Sequence, residues 1–422
     1  MYNVRMRRYF NLTTCASLLV LLINGTTHGM MNRFLVPFLE RKPFIAHHPN
    51  FLWSIQPFIL TADSAYDEHG NDKGLFDFNY QNYGLRQLDD ALLASQRTTQ
   101  SLIRSDWRAS LSNGPYEMGG CLHGMGLAFN AFWPFCDHFG LGARTALMQI
   151  DTALELLPDM HMFENISQGP GDERELILIR ERIHQAMGLV PPVYSSFSAS
   201  DTEIYGKLYT VRDYEYKCQY IDAGIALGAV LPTAQRRDIN NPASIPCGEN
   251  GLWGLFVEGN VDATLKENWW LSVLLRFQQC LPQTALHRMP VDKEPANYGA
   301  LIGPARVKPG FTLVFSPYLM FENIRAGLGL RLGYTLVRHF RDCWTDCRKD
   351  RTIPANLETL NNDSVWGIGH VHCGMFYDLA HGRRKHALMP IISLTVDIPV
   401  DWFVSERAMK TYGVSLAVES YF

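Results

Sequence analysis

The chain ends on Thr-Tyr-Gly-Val-Ser-Leu-Ala-Val-Glu-Ser-Tyr-Phe, residues 411–422, and this stretch decides the fold. Tyr412, Val414, Leu416, Val418, Ser420 and Phe422 share one face; Thr411, Gly413, Ser415, Ala417 and Glu419 share the other. A period of two with one apolar and one small or polar face marks a strand, because successive side chains leave a pleated backbone on opposite sides. Further back the alternation recurs. Leu328, Leu330, Leu332, Tyr334 and Leu336 oppose Gly327, Gly329, Arg331, Gly333 and Thr335. Leu271, Val273 and Leu275 oppose Ser272 and Arg276, and Leu255, Val257 and Val261 oppose Glu258, Asn260 and Asp262. Ile225 and Leu227 oppose Asp222, Gly224 and Gly228. Each run is about ten residues, the length of a tilted strand that crosses a membrane.

Composition points the same way. The 422 residues are 47% hydrophobic, 12% aromatic and 19% charged, against about 25% charge in a soluble domain. Mean hydropathy is only −0.10, far below that of a helical membrane protein, whose spans each need about 20 apolar residues in a row. In alternating strands, lipid-facing and interior residues average out. A net charge of −4 and a pI near 6.4 argue against nucleic acid as a partner. At the N-terminus, Arg5, Arg7 and Arg8 precede an apolar stretch, Ala16 to Ile23, which small and polar residues end: Gly25, Thr26, Thr27 and Gly29. This reads as a signal peptide over residues 1–29. The apolar core is too short for a membrane anchor, and Cys15 precedes it, the wrong order for a lipoprotein. Residues 30–50 read as a periplasmic lead-in and 51–422 as the folded body.

With an export segment at one end, the terminal strand at the other and a hairpin rhythm between, the sequence resembles the outer-membrane β-barrel proteins of Gram-negative bacteria. That family ends in Phe after alternating apolar residues, a signal read by the barrel-assembly machinery. Tyr412, Val414, Leu416, Val418 and Phe422 match the signal; Ser420 departs from it. The resemblance implies an all-β, antiparallel transmembrane barrel surrounded by lipid and lipopolysaccharide, and names no substrate. Closure also follows from physics: hydrocarbon offers no hydrogen-bond partner, so strands without helical period must close into a ring.

The connections alternate in length. Lys266-Glu267-Asn268 and Glu322-Asn323 read as tight turns, whereas 233–251, 280–306 and 340–363 are long and polar. Barrels of this kind have short periplasmic turns and long extracellular loops, which orients the chain. Twelve strands follow, at 51–62, 117–133, 138–153, about 203–214, 217–232, 253–264, 267–279, 308–321, 325–339, 365–379, 385–396 and 411–422; ten and fourteen are the other even counts. The connections 63–116 and 154–202 each read as holding a helix. Leu85, Leu88 and Leu92 make one apolar stripe; Leu176, Ile179 and Ile183 make the other, opened by Asp172 and Glu175 and ended by Gly188 and Pro191. Phe139, Trp269, Phe321 and Phe422 fall at the short-turn ends of strands, and Trp253, Phe277 and Trp366 at the loop ends, as in the two aromatic girdles of a membrane barrel. A soluble sandwich would alternate too, but leaves the export segment, the terminal Phe and the loop asymmetry without a cause.

Charge on the lipid face costs about 2–4 kcal/mol for an Arg near the midplane. Glu258, Asp262, Arg276, Arg331, His370 and His372 are therefore expected to face the interior, with Glu419. There they either line a water-filled passage and set its selectivity or pair with one another and fill a narrow barrel. His370 and His372 put two rings on one side, an incomplete metal pair without a third ligand, and no cofactor is expected. Of nine cysteines, eight follow the signal peptide. Cys121, Cys218 and Cys373 sit in strands; Cys343 and Cys347 share one loop, where an oxidising compartment allows a local disulfide or two thiols make half a metal clip. Arg348, Lys349 and Arg351, interleaved with Asp346 and Asp350, read as a solvated loop or as contacts to lipopolysaccharide phosphates. The expected function is a channel or small-solute transporter whose two helix-bearing loops constrict the mouth. The alternative is a surface-exposed binding or adhesion protein that uses the barrel as an anchor. No Ser-His pairing, carboxylate set or G-x-S-x-G stands out, so no enzyme is expected.

Overall fold

The structure, a computed structural model, describes residues 33–34, 51–77, 83–105, 107–108, 111, 116–158, 173–213, 220–266, 268–291, 294–295, 298–379 and 389–421. The expected signal peptide, Cys218 and the terminal Phe422 lie outside the described residues. The first half of the chain runs β1 (Leu52–Ala62), β2 (Ser64–Tyr66), β3 (Asp72–Gly74), α1 (Leu85–Ala94), β4 (Tyr116–Cys136), β5 (Phe139–Pro158), α2 (Glu173–Met187), β6 (Val193–Ala199), β7 (Thr202–Asp213) and β8 (Tyr220–Leu231). Next come β9 (Gly254–Lys266), β10 (Trp269–Cys280), β11 (Gln283–Met289), β12 (Leu301–Lys308), β13 (Thr312–Arg325) and β14 (Leu328–His339). The chain closes with β15 (Cys343–Asp346), α3 (Leu357–Asp363), β16 (Trp366–Asp378), β17 (Met389–Val400), β18 (Ala408–Met409) and β19 (Tyr412–Tyr421).

Twelve of these strands close a ring in the order β1-β4-β5-β7-β8-β9-β10-β13-β14-β16-β17-β19, and β19 returns to β1. All pairings are antiparallel. They correspond to the twelve expected strands, with the one expected at 385–396 running Met389–Val400. The one at 203–214 has a two-part form: β5 pairs with β7 over Phe139–Arg144 and with β6 over Leu147–Ala153, with a break at Ser200-Asp201 between them. Loop side chains cover β6 on its other flank, where Ser196 meets Gln235 and the Asn241 amide donates to the Val193 carbonyl at 2.9 Å.

Every short connection lies at one end of the ring and every long one at the other, as the loop lengths implied. At the short end, Asn268 adopts φ +67° between β9 and β10, and Gly327 adopts φ +91° between β13 and β14. The second turn sits at Ala326-Gly327. The expected site, Glu322-Asn323, falls in an irregular rung pair within β13, where Asn323 turns back to accept from the Gly327 amide at 3.2 Å.

The two faces of the wall differ as the alternation requires. The outer face exposes an apolar band around the ring, including Ile59 (66% exposed), Ile225 (58%) and Leu332 (50%). A water-facing barrel does not leave so large a contiguous apolar surface bare; this is the build of a transmembrane barrel. Tyr412, Val414 and Leu416 of β19 lie in that band, Val418 follows at the same parity, and Ser420 is fully covered. Aromatic residues gather at the short-turn end, where Trp269 meets Phe321 edge-on at 4.5 Å and Phe135 stacks on Phe139 at 6.3 Å. Trp253 and Phe277 lie exposed at the loop end, with the Phe311–Phe340 stack at 4.0 Å. Trp366 does not join this girdle. It has the parity of Ile368 and His370, points inward, and packs with Leu274, Val314 and Val337 at 2% exposure.

The long connections fold into a cap. The stripes Leu85, Leu88, Leu92 and Leu176, Ile179, Ile183 are buried in one apolar core, with interior residues of the wall such as Phe58, Leu122, Met148 and Ile150. Two small sheets complete the loop end, β11-β12-β15 and β18-β2-β3. Alternation did not mark their short strands.

Candidate functional site: the barrel interior and its cap

Interior side chains come from every second residue of the wall, and their chemistry varies around the ring, with apolar side chains such as Phe58 and Leu122 on β1 and β4 beneath the cap. On β5, β7, β9 and β10 the inward positions carry ions. Arg144 and Arg276 clamp two carboxylates. The Arg276 guanidinium donates to Glu203 at 2.7 and 2.9 Å and lies 3.6 Å from Glu258; Arg144 donates to Glu258 at 3.0 Å and lies 3.2 Å from Glu203. Aromatic faces complete the group, with Arg276 4.0 Å above Phe256 and Arg144 4.6 Å above Tyr205. Gln278 links the cluster to the loop through Arg276 and Glu249, both at 2.5 Å. Two cations and two anions balance in charge, which is what makes the burial of four ions tolerable. Glu258 and Arg276, expected inside, are thus brought together. Arg144 and Glu203 were missed, although inward parity on β5 (Gly140, Gly142, Arg144) and β7 (Glu203, Tyr205, Lys207) carries them. Asp262 lies below the cluster, within hydrogen-bond reach of Ser272, Asn260 (2.7 Å) and Tyr318 (3.5 Å). Arg331 is not brought to these carboxylates. It stands half-buried on β14, 5.8 Å from the Tyr318 ring and 6.0 Å from Phe376.

The wall β13-β14-β16-β17 is lined by hydroxyls and imidazoles instead. Ser316, Thr335, His372 and Asp397 form a chain at 2.8, 2.7 and 2.5 Å. A carboxylate only accepts, so His372 Nδ1 carries a proton towards Asp397, while Nε2 shares a hydrogen bond with the Thr335 hydroxyl, which shares one with Ser316. His370 stacks on His372 with ring centres 6.4 Å apart, and both are 1% exposed. Among the described residues, no group of three or more His, Cys, Asp and Glu side chains could hold a metal ion. Nearer the loops, His339 bridges Thr312 (3.0 Å) and Asp342 (2.9 Å).

Very little of this interior is open to water: Arg276, Asp262, Ser316 and His372 are each 3% exposed or less. The cap closes the mouth above. The Tyr83 hydroxyl and His184 Nε2 share a hydrogen bond at 2.7 Å, tying the first long loop to α2. Burial, then the Arg180 charge, push the His184 imidazole down to about 3, so it stays neutral. The carboxylate of Asp89, on α1 and fully buried, takes the Leu102 amide and Arg108, both at 2.8 Å. In the outer loops, Cys343 and Cys347 are separate thiols, and Arg348 is committed to Asp346 at 2.7 Å. Between the β11-β12-β15 sheet, α3 and the loop after β8 lies a cavity of about 300 Å³ whose floor includes His339, Asp342 and Trp366.

No protein-family model matches the sequence, and no curated protein matches it. Among solved structures, the chain is similar to an outer-membrane channel from Pseudomonas putida F1, with 11% identity over 93% of this chain and 98% of that one and a TM-score of 0.48. It is similar to the transport unit of the autotransporter AIDA-I from Escherichia coli (8% identity, 93% and 94% coverage, TM-score 0.37). It is also similar to a deletion mutant of the monoaromatic hydrocarbon channel TodX (10% identity, 88% and 90% coverage, TM-score 0.34). The assignment of a closed twelve-stranded barrel stands on the chain's own strand ladder.

Proposed function

We propose that the protein is a gated passage for small solutes in the outer membrane of a Gram-negative bacterium, held closed in this conformation. The observation that carries the reading is the asymmetry of the interior. The ions on β5, β7, β9 and β10 neutralise one another and fill their side of the lumen. The β13-β14-β16-β17 wall presents short hydroxyl side chains and two imidazoles, with Asp397 and Arg331, beneath the loop cavity, an arrangement that can exchange hydrogen bonds with a passing polar solute. Glu258, Asp262, Arg276, Arg331, His370 and His372 are the lining residues in this reading. The apolar outer band meets lipid, with lipopolysaccharide around the loop end, and the terminal strand is handed to the barrel-assembly machinery.

Planar-bilayer conductance of the refolded protein tests it. Replacing Arg276 and Arg331 with Gln loosens the ion cluster and removes two positive charges, so conductance rises and the reversal potential moves toward cation preference. The large apolar core that the cap builds on the β1-β4-β5 wall favours one other reading, a surface binding protein anchored by its barrel. A protein that stays silent in the double variant and again after the cap loops are removed is that anchor.

A further inference from the structure

We propose that the cavity at the outer mouth is a binding site for a compact organic acid: a single carboxylate held by Arg236 and Arg237, on a small apolar body held by the cavity walls. The site deepens the passage reading by naming the class of solute it would collect.

Its charge is the first argument. Four guanidinium groups line the cavity, those of Arg33, Arg236, Arg237 and Arg288, against the carboxylates of Asp342 and Asp363. Asp342 is already satisfied by His339 (2.9 Å) and by the Gly310 amide (2.7 Å). Arg33 is held by backbone carbonyls, those of Asp363 (2.7 Å) and Arg407 (3.5 Å). Arg288 donates to the carbonyls of Ile239 (2.6 Å) and Met187 (3.1 Å) and to the Asn240 side chain (2.7 Å). Four guanidinium groups against two carboxylates in the lining leave the hollow a positive field. Arg236 and Arg237 sit side by side on a fixed loop, with the Arg237 amide donating to Asn250 at 2.8 Å. Arg236 lies across Gly251, where any side chain would collide with it. A guanidinium group suits a carboxylate, which accepts on two oxygens.

The apolar walls are the second argument. Leu252, Leu286, Val307, Trp344, Leu360 and Trp366 border the same space. His287 meets Trp344 edge-on at 4.8 Å. Burial, then the charges of Arg237 and Arg236, push His287 down to about 4, so near neutral pH it presents an uncharged ring. A free phosphate would leave these surfaces idle, and a neutral hydrocarbon would leave the arginines idle. The volume stands at the lower end of the ~300–1,000 Å³ typical of ligand sites, which favours a compact acid over a long-chain one.

Isothermal titration of the folded protein in detergent with benzoate, benzyl alcohol and inorganic phosphate is the test. Benzoate binds, and the other two bind at least roughly tenfold more weakly, because each lacks one half of the recognition. Arg236→Gln/Arg237→Gln weakens benzoate by at least roughly tenfold. Heat-modifiable mobility on gels checks that this variant is folded, and Leu286→Gln, which alters the wall alone, is a second variant that also weakens benzoate. Phosphate binding as tight as benzoate, or benzoate binding unchanged in both variants, overturns the proposal. Flux is read separately in loaded liposomes. Benzoate binding without benzoate flux keeps the site and removes the passage; flux without binding removes the site and keeps the passage.

Discussion

Arg276 holds Glu203 and Glu258 in a space almost closed to water, so the residue and its partners stand or fall together. Breaking a buried pair from one side costs about 3–5 kcal/mol, since the remaining charge keeps its desolvation penalty. Arg276→Gln alone is therefore expected to lower the temperature at which the folded band shifts on a heated gel, and Arg276→Gln with Glu203→Gln to recover part of the loss. A second residue carries a pH dependence. Burial, then the nearby Asp201 carboxylate, push Glu249 in the loop above the cluster up to about 8. The folded state thus keeps a proton that the unfolded chain gives up near its ordinary value, and stability falls as pH rises through that window. Unfolding temperature should decline between about pH 5 and pH 9, and Glu249→Gln should flatten the decline. An unchanged slope in the variant would assign the dependence to another group. Glu258 and Arg276 were legible as interior residues because their strands alternate cleanly. Arg144 and Glu203 were not, because β5 and the broken β6–β7 strand carry Gly and Thr on their faces and the contrast is weak. The isolation of Arg331 is beyond a linear reading, since distances across a lumen depend on how far the ring is sheared as it closes.

Elements read well wherever a repeat covers one face. The wall strands of the second half and the first two helices read this way, down to the buried stripe of α2, whereas the strand at 203–214 follows from the need for an inward strand between two outward ones. Misses have two physical sources. The strands of the accessory sheets are eight residues or fewer and pack against loops, so burial follows local folding instead of a period. Trp366 was placed by residue type at a strand end, although its parity with His370 and His372 already pointed inward. The cap rests on the wall by apolar packing, whereas the wall also has its own hydrogen-bond ladder, so the cap should come loose while the ladder holds. Ile183 is fully buried in the cap core. Ile183→Ala removes about 2–5 kcal/mol of packing there. It should make the 63–116 loop sensitive to protease on intact cells while the barrel keeps its heat-modifiable band. Loss of that band would show that cap and wall unfold as one unit.

The whole molecule has a direction and a seam. Cysteines introduced in 233–251 and 340–363 should react with an impermeant reagent on intact cells, and one at 268 should not; the reverse pattern would turn the barrel over. Removing Phe422 should block insertion while export continues, because the last strand must be recognised before it can be joined; normal insertion without it would place the signal elsewhere. The seam itself is β1 against β19. Every other rung of the ring joins strands that follow one another along the chain, whereas this one ties Leu52 to Tyr421. A contact between such distant residues is the slowest to find, so the sheet waits with two bare edges until its last stitch. Bare edges adhere to any other edge they meet. Gln56 and Pro57 make no rung to β19, although both pair with β4. Proline has no amide hydrogen to offer a stranger. The gap that thins the finished seam should therefore also guard the unfinished one: a dropped stitch that leaves neighbouring copies less to be knitted to while the ring is still open.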